Sequence, residues 1–208
     1  FVGTDLSTAV NGALITSASP AFILLFAMLI LGERLTWIRV LAVVIATIGV
    51  IIIVDPSQVD LGSDTFVGNV ALAIAALTWG LYSVLVRLVS SRFDTLTVTL
   101  LAFFGGMMLI FPMAILELSR EDIGEITLPI ILGVLYLGVV STAGAMWLWN
   151  RAFALVDANR ASLFFFSQPV VGAGLGVLLL DQDLTANIII GGGLILLGVL
   201  GSILGGEA

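Results

Sequence analysis

SASPAFILLFAMLILGERLTWIRVLAVVIATIGVIII, residues 17–53, holds two long apolar runs joined by one short polar turn, GERLT at 32–36. A helix needs about 20 mostly apolar residues to cross ~30 Å of hydrocarbon. With the residues just before it, the stretch predicts two membrane-crossing helices, at about 10–31 and 37–54. The same phrase returns later as LLLDQDLT at 178–185, against LILGERLT at 29–36, but with Gln182 and Asp183 where the first copy has Glu33 and Arg34.

Composition agrees with a membrane solvent. The chain is 60% hydrophobic and 10% charged, with mean hydropathy +1.24. Soluble domains carry about 25% charged residues. Further apolar runs predict spans at about 67–89, 95–116, 127–149, 160–180 and 186–204, seven in all. The breaks are polar and turn-forming: DPSQVDLGSD, SSRFD, ELSREDIGE, NRAFALVDANR and DQDLT. A membrane β-barrel would show alternating segments of ~10 residues, and the chain has none. The expected fold class is an all-α integral membrane protein.

Assigning the breaks alternately to two sides sorts the charges. Arg34, Arg39, Arg87, Arg92, Arg151 and Arg160 fall on one side, and only Arg120 on the other. The second side collects Asp5, Asp55, Asp60, Asp64, Glu117, Glu121, Asp122, Glu125, Asp181 and Asp183. Arginine excess in short loops marks the cytoplasmic face. GERLT is therefore expected inside, DQDLT outside and the C-terminus in the cytoplasm of a cell bounded by this plasma (inner) membrane. Most of these charges are expected to be solvated loop residues.

Pro20 and Pro169 lie 149 residues apart, and at that offset Leu29/Leu178, Leu31/Leu180, Leu35/Leu184, Thr36/Thr185, Gly49/Gly198 and Val50/Val199 coincide. Five spans separate each helix from its counterpart, so the copies run in opposite directions. Inverted repeats are a common device of secondary transporters, which bind substrate near the midplane between halves. Residues 1–55 then read as the last two helices of a first copy, 56–66 as an external loop, and 67–208 as a complete five-helix second copy. Three further helices are expected before Phe1, ten in all.

The stretch at 17–53 and its partner WLWNRAFALVDANRASLFFFSQPVVGAGLGVLLL at 147–180 resemble EamA-type carriers of the drug/metabolite transporter superfamily. The shared pattern is a helix-breaking Pro, an apolar run, L-G-E-x-L and a helix ending near Gly-Val. The resemblance implies a ten-helix inverted-repeat carrier of small metabolites. Gln182 departs from it, because that family usually repeats its Glu there.

No Cys and no His is present, which removes thiolate metal sites, most transition-metal chemistry and the commonest acid–base catalyst. No span carries a mid-helix Asp or Glu, so no catalytic residue is expected, and these helices hold no obvious proton carrier. Neither a cofactor nor a nucleic-acid partner is expected. The expected partners are a small-molecule substrate and membrane lipid.

The candidate substrate-contacting residues are polar, aromatic or helix-breaking groups within spans. Pro20 and Pro169 each remove a backbone bond and kink a helix. Ser162, Phe165, Phe166 and Pro169 share one helical face, with Gln168 a neutral amide in the same span. Thr16 and Ser17 offer hydroxyls on the equivalent part of the first copy. Trp79, Tyr82 and Tyr136 complete the set. Gly172, Gly174, Gly176 and Gly191 to Gly193 are read as close helix contacts. The expected function is alternating-access transport of an amino-acid-like or drug-like solute. A non-transporting polytopic scaffold or assembly subunit is the alternative.

Overall fold

The computed structural model describes residues 2–54, 62–119, 124–171, 175 and 185–204, and every regular element among them is helical. In chain order these are α1 (Val2–Asp5), α2 (Ala9–Thr16), α3 (Ser19–Phe26), α4 (Trp37–Val54), α5 (Ser63–Val89), α6 (Thr95–Leu118), α7 (Leu128–Leu135), α8 (Ala145–Leu155), α9 (Ala158–Leu163) and α10 (Ala186–Leu204). A wider π turn, Ala27–Leu31, follows α3, another, Tyr136–Gly144, joins α7 to α8, and a 3-10 turn, Phe164–Phe166, follows α9. Four continuous stretches are long and apolar enough to cross a bilayer: Asn11–Leu31, Thr65–Val89, Thr95–Leu118 and Leu128–Leu155. Two shorter apolar helices, Trp37–Ile53 and Ala186–Gly201, accompany them. DQDL at 181–184 and the glycines 172, 174 and 176 lie outside the described residues.

The chain forms two compact units. The first comprises Phe1–Leu85 and Val156–Ala208. Within it, Thr8 caps α2 by accepting the Asn11 N–H at 3.0 Å. The helix stops at Thr16 and resumes at Ser19, with Pro20 in the first turn of α3. Proline has no N–H for the carbonyl four residues back, so the expected kink is a break between two helices. The π turn ends on Gly32 at φ 67°, a left-handed conformation that glycine adopts without cost. The N–H groups of Gly32 and Glu33 both turn back to the Ala27 carbonyl.

α4 packs along α10. A Cβ added to Gly49 would lie 2.5 Å from the Gly191 carbonyl oxygen and 3.1 Å from the Ile195 nitrogen. One added to Gly198 would lie 2.7 Å from the Ala42 carbonyl oxygen and 3.2 Å from the Ala46 nitrogen. Gly198, Gly191 and Ile195 follow Gly49, Ala42 and Ala46 by the same 149 positions. One contact is therefore made twice with its partners exchanged, a local two-fold between antiparallel helices. Ala46 and Ile195 sit fully buried there, in a core with Leu24, Ala42, Val43, Val50, Leu163 and Phe166. Of the glycines expected to pack closely, Gly191 does. Gly192 and Gly193 do not, since a Cβ on either meets nothing within 4 Å.

The second unit is Val86–Leu155. Asp94 caps α6, accepting the Thr97 N–H at 3.1 Å. The helix ending at α8 runs six residues past the expected 149. The NRAFAL stretch is no break, because its polar groups are met inside the unit. Asn150 is fully buried and its Nδ2 donates to Thr99 Oγ1 at 2.9 Å. Arg87 donates to the Phe153 and Ala154 carbonyls at 3.3 and 2.8 Å, filling acceptors that a helix end leaves open. Likewise α5 begins at Ser63, inside the loop expected at 56–66.

Candidate functional site

The helix break at Ser17 and Ala18 opens a cavity of about 170 Å³ in the first unit. Its lining is Ala13 and Thr16 of α2, Ser17, Val50 of α4, and Phe165, Phe166, Gln168 and Pro169. Thr16 and Phe165, and Ser17 and Phe166, are again 149 residues apart, so positions at that offset meet in one lining. The chain breaks its helix just ahead of Pro20 and turns through a 3-10 turn, Phe164–Phe166, just ahead of Pro169.

Among the described residues, no charged side chain lines this cavity. The Thr16 hydroxyl donates to the Gly12 carbonyl at 2.7 Å and the Ser17 hydroxyl to the Leu14 carbonyl at 2.6 Å. Both donors are spent on their own helix, which is how a hydroxyl within a span satisfies itself. Gln168 is exposed and contributes the one side-chain amide in the lining. The walls otherwise offer apolar surface and aromatic faces.

Six of the expected residues, Thr16, Ser17, Phe165, Phe166, Gln168 and Pro169, come together here. The others do not line the cavity. Pro20 is buried in packing at the start of α3. Ser162 is fully buried and donates to the Asn159 carbonyl at 2.8 Å. The regular face expected through Ser162, Phe165, Phe166 and Pro169 is broken by the 3-10 turn, whose tighter winding shifts the later positions. Trp79 and Tyr82, half-buried on α5, pack against each other with ring centroids 5.8 Å apart. Tyr136 lies in the second unit and is 60% exposed.

A second constellation surrounds the GERLT turn. Glu33 Oε1 accepts the Ala158 N–H at 3.0 Å and Oε2 the Asn159 N–H at 3.2 Å. It caps α9, taking two N–H groups that a helix start leaves open. Arg39 Nη2 pairs with Asp157 Oδ2 at 2.9 Å, and Arg160 Nε lies 3.3 Å from the same oxygen. Arg39 and Arg160, two of the charges expected in solvated loops, are therefore structural, as is Asp157. Sequence reading passed over Asn159 as well, which is fully buried with neither amide atom hydrogen-bonded. The signal that was available is the charge-dense VDANR run at 156–160, directly before an apolar span.

The profile of the EamA-like transporter family matches residues 1–55 and 66–204. An uncharacterized transporter of Archaeoglobus fulgidus is 28% identical over 90% of this chain and 65% of its own length. One from Clostridium kluyveri is 28% identical over 97% and 63%, and the uncharacterized transporter YcxC of Bacillus subtilis 26% identical over 96% and 66%. The chain thus spans about two thirds of the length of these relatives. A solved crystal structure superposes with a TM-score of 0.84 over 97% of this chain and 71% of that chain, at 21% identity, so the fold is shared. With apolar helices long enough to cross a bilayer and a family match over nearly its whole length, this chain is a multi-pass membrane protein belonging to the EamA-like transporter family.

Proposed function

We propose that the protein is a secondary transporter that moves a small organic metabolite, amino-acid-like or drug-like, across the plasma membrane by alternating access. In this reading the chain supplies seven spans of a ten-helix inverted repeat, with the GERLT turn and the C-terminus in the cytoplasm. The observation that carries it is the cavity at the helix break, lined at repeat-related positions by Thr16, Ser17, Phe165 and Phe166. A carrier of inverted repeats binds its solute where the two copies meet. The repeated contact between α4 and α10 supports the same pseudo-symmetry. The uncharged lining favours a solute part that is neutral and partly apolar, held by ring contacts and one amide.

The test is reconstitution of the full-length protein in proteoliposomes and uptake or efflux of a metabolite panel. Phe165→Ala and Gln168→Ala are each expected to lower transport at limiting solute by about tenfold, since loss of a ring contact or hydrogen bond in a desolvated site removes on the order of 1–2 kcal/mol. Tyr136→Phe, outside the residues that line this cavity, is expected to leave transport unchanged. Unaltered transport in both cavity variants would refute the site.

A further inference from the structure

Four charged residues tie one end of the first unit together: Glu33 across the start of α9, Arg39 to Asp157, and Arg160 to the same carboxylate. The Arg39 side chain is only 13% exposed. The repeat does not reproduce these charges. At the positions 149 residues away, Gln182 answers Glu33, Ile188 answers Arg39, Thr8 answers Asp157 and Asn11 answers Arg160. Around Asn11 the side-chain bonds are between neutral groups. Asn11 Nδ2 donates to Asn69 Oδ1 at 2.9 Å, and the Ser7 hydroxyl donates to the same oxygen at 2.6 Å. Hydrogen bonds with an ionised partner are roughly twice as strong as neutral ones. The bonds made by Glu33, Arg39, Asp157 and Arg160 are therefore stronger than those made around Asn11.

The cavity sits away from the charged end. Ala13, Thr16 and Ser17 precede the GERLT turn by most of a span, and Val50 lies near the far end of α4. At ~1.5 Å per residue these side chains are on the order of 16–30 Å of helix from Glu33 and Arg39. The nearest lining residue along the chain, Phe165, follows Asp157 by about two helical turns.

We propose that Glu33, Arg39, Asp157 and Arg160 form a clasp that holds the cavity closed at the GERLT end, and that uncharged residues at the four repeat-related positions bias the resting protein toward opening at the other end. The clasp thereby sets which side the empty carrier faces. This rests on the carrier reading above. A carrier whose two access states are related by the pseudo-two-fold would populate them equally if both ends were alike. At these four positions a charge on one side answers an uncharged residue on the other.

The chain has no cysteine, so a thiol can report access to the cavity. Thr16→Cys in the full-length protein, in oriented proteoliposomes, is exposed to an impermeant thiol reagent from either side. Ser91→Cys marks the GERLT side and Ser119→Cys the opposite one. Thr16→Cys is expected to react at least tenfold faster from the Ser119 side. Adding Glu33→Gln or Arg39→Leu is expected to raise the rate from the Ser91 side about tenfold. Transplanting the charges with Gln182→Glu and Ile188→Arg, which leaves the clasp untouched, is expected to weaken the preference from the other direction. If the clasp variants are not monodisperse, the transplant decides. Equal rates from both sides in the parent, or a preference that no variant shifts, would overturn the clasp. Solute flux with an unshifted preference would sink the clasp and keep the carrier. A shifted preference without flux of any solute in the panel would do the reverse.

Discussion

Single residues in this chain act mainly by filling helix ends. Glu33 reaches from one turn to the start of α9, more than a hundred positions later, and Arg87 closes the end of α8. Asp94 does the same work locally. Its carboxyl is held below the usual carboxylate range, first by the Thr97 hydroxyl and then by the Thr97 N–H. A carboxylate with a lowered folded value contributes stability above its unfolded value, and that contribution disappears as pH falls through the folded one. Protection of the amides in the first turn of α6, measured relative to their intrinsic exchange rates, is therefore expected to fall as the pH drops below about 4, the ordinary aspartate range. Thr97→Val should move that loss to higher pH, and a profile insensitive to both changes would contradict the cap. The existence of such charges was plain in the sequence, but their partners were not. Nothing in GERLT shows that its carboxylate faces residue 158, because the pairing is made by tertiary packing between distant segments.

Helices were legible where length and apolarity decide, and illegible where a distant partner does. The ends of α4 and α6 follow from the turn residues beside them. The last turns of α8 do not, because they depend on Thr99 receiving the Asn150 amide from 51 residues away. The glycines divide in the same way. A run of three at 191–193 announces a close approach, but only the helix face, fixed by packing, selects Gly191. This gives a direct contrast. Gly49→Ala puts a Cβ against the Gly191 carbonyl, so α4 and α10 must separate, at a cost on the order of 1–3 kcal/mol. Gly193→Ala meets open space and is expected to be neutral, or stabilising by about 0.5–1 kcal/mol through lower backbone entropy in the unfolded chain. Thermal unfolding in detergent separates the two, and equal midpoints would count against the packing described for α4 and α10.

At the scale of the molecule, much of the surface is apolar. Met108 is 77% exposed, Leu109 73% and Ile110 67% on α6, as suits a chain whose solvent is hydrocarbon. Membrane class was legible because it is written in composition and in the length of the apolar runs. The cavity was half legible: its residue types could be listed, but only the break at Ser17 and the 3-10 turn select which of them meet. The sidedness drawn from the arginines yields its own prediction. Ser91 and Ser119 are both exposed and lie at opposite ends of α6. An impermeant thiol reagent added to intact cells is expected to modify Ser119→Cys and spare Ser91→Cys, and the reverse pattern would invert the topology.

The exchanged contact between α4 and α10 carries a consequence for design. A surface whose contacts exchange through a local two-fold is close to self-complementary, as in an isologous dimer. The pairing of a glycine with Ala42 is already present once, at Gly198. A chimaera in which the sequence of α4 replaces that of α10 would make this pairing twice and omit the Gly49–Gly191 approach. Such a chain keeps one glycine at each close approach, the least that lets two helices of one sequence lie backbone against backbone.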